Sequence, residues 1–264
     1  GGDGHHASNV KGWNIGDRVG VPWLGGTCGT CRYCLAGREN LCDAPTFTGF
    51  SRDGGFATHT VADSRFCLHL PDSFDDISAS PLLCAGLIGH RAYRKAQSKG
   101  VIGLYGFGAA AHIIAQVAAP EGAKVFAFTR PGDTQSQAFA LKLGATWAGP
   151  STDAPPEPLD AAILFAPVGA LVPEALKHIR KGGKVVCAGI HMSDIPTFPY
   201  ADLWGEREVV SVANLTRKDG ADFIATVRQK APEVHVTRYP LAEANTALED
   251  LRQGRFDGAA VLVP

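Results

Sequence analysis

Charge is nearly balanced in this sequence: 25 Lys and Arg stand against 26 Asp and Glu, leaving a formal net charge of −1. A chain without a basic excess lacks the phosphate-gathering surface of a nucleic-acid or anionic-membrane binder, and neither partner is expected. No apolar run is long enough to span a bilayer. Internal repeats are missing, and low complexity is confined to the short DAPPEP stretch at 153–158. Cysteine is sparse outside one place. Of seven, an odd number, four fall within residues 27–42. A disulfide framework belongs to short secreted chains that cannot bury an adequate core, so 264 residues with an odd thiol count argue against one, and a cytoplasmic location is expected.

What is present describes an ordinary globular body. With 45% hydrophobic and 19% charged residues, the chain is long enough for one large domain or two. Its 31 glycines and 17 prolines imply many tight turns. Between Asp17 and Leu70, short β-type runs (Arg18–Val21, Phe56–Val61, Arg65–His69) alternate with turns such as Asp53-Gly54-Gly55, the pattern of a compact β region. A single helix is expected over Ile77–Ala96. Beyond it the rhythm becomes strand then helix: strands at Val101–Tyr105, Lys124–Thr129, Leu159–Phe165 and Lys184–Ala188, and helices near Ala109–Ala118, Gln135–Leu143 and Leu171–Ile179. That alternation calls for a parallel sheet with helices on both faces.

The clustered thiols read as a metal site. Cys28, Cys31 and Cys34 are spaced by two residues, and seven more separate Cys34 from Cys42. The bacterial iron–sulfur run places its fourth cysteine after three residues and follows it with proline, whereas Asp43 follows here. Four thiolates wrapped about one tetrahedral zinc suit the spacing better, and such a closed set leaves no position for substrate. The expected ion holds a loop and does no chemistry.

A second motif points to a dinucleotide. Gly106-Phe107-Gly108-Ala109-Ala110-Ala111 follows the apolar strand VIGLY and opens the helix AAHIIAQVAA. Gly106 permits the tight turn, Gly108 lets the backbone approach a pyrophosphate, Ala111 allows close helix–strand packing, and the helix N-terminus offers amide donors to the anion. At the end of the second strand, where an NAD site usually carries Asp or Glu, stand Thr129 and Arg130. A guanidinium there can grip a 2′-phosphate bidentately, so NADP is expected over NAD. The alternative for Arg130 is stacking on adenine or simple solvation.

Together GDRVGVPWL, the cysteine loop, GGFATHTVAD, SPLLCAG, GLYGFGAAAH and ANTALEDLRQGRFDGAAVLVP resemble the zinc-dependent alcohol dehydrogenases of the medium-chain dehydrogenase/reductase superfamily, from about Val10 to Pro264. The resemblance implies an α/β protein with a GroES-like β domain (1–87 and 235–264) against a Rossmann doubly wound parallel sheet (88–234), assembled as a homo-oligomer, dimer or tetramer. It implies hydride exchange between a small alcohol or carbonyl substrate and nicotinamide. It assigns Ala166, Gly189 and Ile190 to the cofactor beside the turn residues, and Cys84 to a catalytic zinc. The family's other two ligands, a Cys and a His in a Gly-His-Glu motif, precede its GDRV strand and have no counterpart here; His5 and His6 read as a solvated loop. The chain opens on GGDGHHASN, which looks like the middle of a loop, so a preceding segment is expected and the 264 residues alone are expected to be inactive. A non-catalytic dinucleotide-binding remnant is the second reading. Gly258-Ala259 stands where the family usually has Gly-Arg, and Ile88 where a Thr or Val often meets the nicotinamide. His59 and His69 are expected on strand faces, Cys187 in the core, and His90 and His112 on helix surfaces or in packing.

Overall fold

The computed structural model describes residue 10 and residues 12–264. Short β pieces dominate its first part: β1 (Val19–Gly20), β2 (Leu24–Gly26), β3 (Thr46–Phe47) and β4 (Leu68–His69), paired antiparallel as β1 with β4 and β2 with β3. A four-residue helix, α1 (Arg32–Leu35), lies inside the cysteine loop.

Six strands then form one parallel sheet. They are β5 (Val101–Tyr105), β6 (Lys124–Thr129), β7 (Trp147–Pro150), β8 (Leu159–Leu164), β9 (Ile179–Cys187) and β10 (Glu208–Ser211), in the order β10-β9-β8-β5-β6-β7. The order reverses at β5 and β8, the switch point where doubly wound sheets open a crevice at their carboxyl ends. Of these, β5, β6 and β8 read as largely apolar runs because both faces are covered. Ile102 and Leu104 of β5 join one core layer, while Val101 and Tyr105 join the other. The first layer is closed by α3 (Ala85–Ala96), α4 (Ala109–Ala118), α5 (Thr134–Lys142) and α8 (Arg217–Gln229), the second by α6 (Leu171–His178). A four-residue α7 (Tyr200–Leu203) precedes β10. The chain ends with β11 (Val236–Pro240), α9 (Ala244–Gln253) and β12 (Ala259–Val263), β11 and β12 pairing parallel apart from the six-stranded sheet. Among the described residues no helix is long and apolar enough to cross a membrane.

Three sequence expectations need correction. The helix expected over Ile77–Ala96 is broken into α2 (Asp76–Ala79), a 3-10 turn at Ser80–Leu83 and α3, with Cys84 at φ −127°, ψ −75° between them. Pro81 supplies the reason: it cannot donate to a helical acceptor, and its ring would collide with the carbonyl four residues back. Phe56–Val61 is not a strand; Phe56 and Val61 are exposed, and no described strand pairs with the segment. His59 therefore lies in an exposed loop rather than on a strand face. His69 does lie on β4, its ring stacked on Trp13 with centroids 3.8 Å apart. Cys187, expected in the core, ends β9 half-buried against it, and His90 and His112 are both packed inside.

Candidate active site and metal centre

The candidate metal centre is built by the backbone. Cys28, Cys31, Cys34 and Cys42 are free thiols whose sulfurs all lie within 4.8 Å of one another. A zinc with Zn–S bonds of about 2.3 Å sets its sulfurs about 3.8 Å apart, and the Cys42 and Cys28 sulfurs are 3.5 Å apart. Backbone N–H groups already point at the thiols, from Cys28 and Ala44 to Cys42 and from Cys31 to Cys28, at 3.3–3.4 Å. Such donors favour thiolate: those of Thr30 and Cys31 draw the Cys28 pKa down to about 6. The donor set fits a closed structural zinc. Among the described residues no other group of three or more His, Cys, Asp or Glu is placed to hold a metal.

The loop is tied to the helical layer. Glu39, buried, takes a bidentate pair from the Arg217 guanidinium at 2.6–3.0 Å and a further bond from the Arg217 N–H at 2.7 Å. Asn40 Nδ2 donates to the Ala213 carbonyl at 2.9 Å. Thr216 and Asp219 form a capping box at the start of α8, and Asp219 also takes the Arg91 guanidinium from α3. The Arg217 side chain holds the Glu39 carboxyl below the usual carboxylate range.

A crevice opens where β5 ends. Gly106 turns at φ +87°, its N–H held by Phe128 O at 2.8 Å, and a Cβ there would fall 2.9 Å from Ala166 N. Only glycine suits that combination of positive φ and contact. Gly108, the N-cap of α4, has no heavy atom within 4 Å of where its Cβ would stand, so its missing side chain leaves open space at the helix start. The resulting cleft, about 560 Å³, is lined by Gly106, Phe107, Gly108, Ala109, Thr129, Arg130 and Ala166. Ala110, Gly189 and Ile190 do not line it; Ile190 is exposed, and Gly189 packs beside Pro167 and the carbonyl of Phe165. Thr129 is buried, its hydroxyl engaged by Gln137 and the Arg130 carbonyl. Arg130 is exposed, makes no ion pair among the described residues, and lies near Gly254 at the C-terminus of α9.

Sequence reading missed the far wall. Asp133 caps α5 by accepting from Ser136 N, and Gln135 Nε2 reaches across to Asp257 Oδ2 at 2.8 Å. Both residues line the cleft with Phe256 and Gly258. The Asp before Thr-Gln-Ser was a visible helix-start signal. Nothing local marks Asp257 as the partner of Gln135. Cys84 is exposed at the joint before α3, and Ile88, half-buried, follows one turn later. His5 and His6 lie outside the described residues.

This geometry matches known proteins. The alcohol dehydrogenase GroES-like domain family matches residues 4–72. A probable alcohol dehydrogenase, AdhA, of Mycobacterium tuberculosis is 47% identical over 251 residues, spanning 94% of this chain and 72% of that one. An alcohol dehydrogenase of a Moraxella species is 34% identical, spanning 94% and 75%. Among solved structures, acetophenone reductase from Geotrichum candidum in complex with NAD superposes with a TM-score of 0.86 at 26% identity, over 98% of this chain and 76% of that one. The six-stranded parallel sheet with its crevice is Rossmann-like, and the relatives make the chain an oxidoreductase. The chain belongs to the alcohol dehydrogenases of the medium-chain dehydrogenase/reductase superfamily.

Two outcomes follow for the metal loop. Metal analysis is expected to find one tightly held zinc per chain, and Cys34→Ser to lose it and disorder residues 25–45 while weakening the rest of the fold only secondarily; a metal-free wild type or disulfide-paired cysteines contradict this. Glu39, with its pKa depressed in the folded state, contributes stability that is present above the ordinary carboxylate pKa and lost as pH falls through the lowered value. Acid unfolding of Glu39→Gln should therefore show a shallower loss of stability below about pH 4.5 than the unaltered chain. Superimposable acid profiles would remove Glu39 from the account.

Proposed function

We propose that this chain takes part in zinc-dependent oxidation of small alcohols, or the reverse reduction of carbonyls, with NADP favoured over NAD. The observation that carries the reading is the glycine turn between β5 and α4, open at Gly108 and facing a cleft of dinucleotide size. When bound, nicotinamide supplies the hydride acceptor: the carbinol carbon gives up hydride, and the hydroxyl its proton. The chain's own part is binding and orientation. First-turn amides of α4 meet the pyrophosphate, Ala166 faces it across the turn, and the exposed Arg130 grips the 2′-phosphate. Gly189 and Ile190, outside this cleft, are assigned to the nicotinamide end on the resemblance alone.

The division into a GroES-like part (1–87 with 235–264) and a dinucleotide part (88–234) is supported by β11 and β12, which pair with each other and not with the six-stranded sheet. Seven free thiols fit a reducing compartment, the cytoplasm. A dimer or tetramer follows from the family resemblance.

Cys84 is proposed as one ligand of a catalytic zinc. A catalytic zinc takes three protein ligands, and the described residues offer only this thiol, so they do not by themselves fit the ion. The 264 residues assayed with zinc, NADP and primary, benzylic or allylic alcohols should turn over only at trace level. A chain supplemented upstream with the family's Cys and Gly-His-Glu elements should be active, and Cys84→Ala should abolish that activity while leaving cofactor binding intact. Robust turnover by the 264 residues would assign the missing ligands to His5 and His6; an inactive supplemented chain would favour a purely nucleotide-binding role.

For the cofactor, Arg130→Ala should cut the preference for NADP(H) about tenfold or more, the scale of one charge-assisted pair. Equal affinities for both dinucleotides in the unaltered chain, unchanged in the variant, would return Arg130 to solvent.

A further inference from the structure

Helix α4, which opens at the glycine turn, carries two polar side chains one turn apart, and both reach the segment leading into β11. Gln116 pairs with the Glu233 backbone, its Nε2 donating to Glu233 O at 2.9 Å and its Oε1 accepting from Glu233 N at 2.8 Å. His112 is fully buried, and its Nε2 accepts from the backbone N–H of His235 at 3.3 Å. A ring nitrogen that accepts carries no proton, so in the neutral imidazole the proton sits on Nδ1. Nδ1 lies 3.3 Å from Gly108 O, which can only accept, and donates to it. Burial also lowers the His112 pKa to about 4, in keeping with a ring that stays neutral. The rings of Phe139 and His235 flank it, with centroids 5.9 and 6.1 Å away.

The consequence falls on the next peptide. Gly108 O takes a second donor from the same residue, His112 N at 3.1 Å. Because the peptide is planar and trans, the Gly108 carbonyl and the Ala109 N–H point in opposite directions. Two donors holding the carbonyl toward the helix therefore hold the Ala109 N–H away from it, toward the cleft that Ala109 lines. That N–H is among the first-turn donors left without an intrahelical acceptor. A hydrocarbon at position 112 would leave the part-buried His235 N–H without this acceptor and Gly108 O with one donor fewer. We infer that His112 is a positioning residue for the cofactor: bonded to Gly108 O and to the His235 N–H, it aims the Ala109 amide at the pyrophosphate. The inference rests on the dinucleotide reading above.

Titrations of NADPH and NADH into the unaltered chain, His112→Phe and Gln116→Met test it. His112→Phe should weaken binding of the preferred dinucleotide about tenfold, as expected for a misdirected bond to a charged group. Gln116→Met loosens the same segment without touching Gly108 and should stay within about twofold of the unaltered chain. Unchanged affinity in His112→Phe, or equal losses in both variants, would overturn the inference while leaving the cofactor site standing. Failure of the unaltered chain to bind either dinucleotide would overturn the cofactor reading and this inference together. If His112→Phe does not fold, nitrogen NMR of the unaltered chain decides: a His112 ring protonated on Nδ1 and not titrating down to about pH 5 supports the role, whereas an Nε2-protonated ring or a midpoint near about 6.5 contradicts it.

Discussion

The chemistry depends on how closely β5, the turn after it and α4 approach their neighbours. Gly106 makes its turn with its N–H received by Phe128 O, and Ala166 stands so close that no Cβ fits there. The same packing puts the helix start at the carboxyl end of the sheet, where strand order reverses. Two apolar layers enforce that position from either side, with α3, α4, α5 and α8 over one face and α6 over the other. A shift of one residue in β5 would exchange Ile102 and Leu104 with Val101 and Tyr105 between the layers, and both cores would lose their fit.

The metal loop is coupled to this body through charge as well as packing. Glu39 and Asn40 lie just before Cys42, and their bonds end at Ala213, Asn214 and Arg217, around the start of α8. From there the capping box and Arg91 lead to α3, whose Gly86 faces the Phe223 ring so closely that a Cβ would come within 2.6 Å of it. Glu39 and Asn40 thus tie the cysteine loop, through the start of α8 and Arg91, to the helix that follows Cys84.

The parts legible in the sequence are those whose physics is local. VIGLY is apolar throughout, and KVFAFT and LDAAIL are apolar but for Lys124, Thr129 and Asp160, because both faces are buried, and the glycine turn carries its own steric requirement. The cysteine spacing was similarly self-contained. Tertiary partners hid the rest. β7 and β10, four residues each, mix too few apolar residues to stand out. Helix α8 buries only Gly220, Phe223, Ile224 and Val227, and its cap uses Asp rather than the Glu or Gln that usually signals a capping box. Pro81 breaks an apolar stretch that otherwise has helical periodicity, and the helix resumes only at Ala85. The cleft's far wall, from Asp133 to Asp257, comes together only when the C-terminal return is in place.

At the centre of the account is one claim: the N-terminal turn of α4 receives the pyrophosphate of a dinucleotide. Backbone amide NMR during titration with NADPH addresses it without relying on turnover. The largest shifts should fall on Gly106, Gly108, Ala109 and Ala110, with smaller ones at Arg130 and Ala166. Saturable binding that leaves those amides unmoved and perturbs another surface, such as the open pocket around Lys181 and Trp204, would contradict the account.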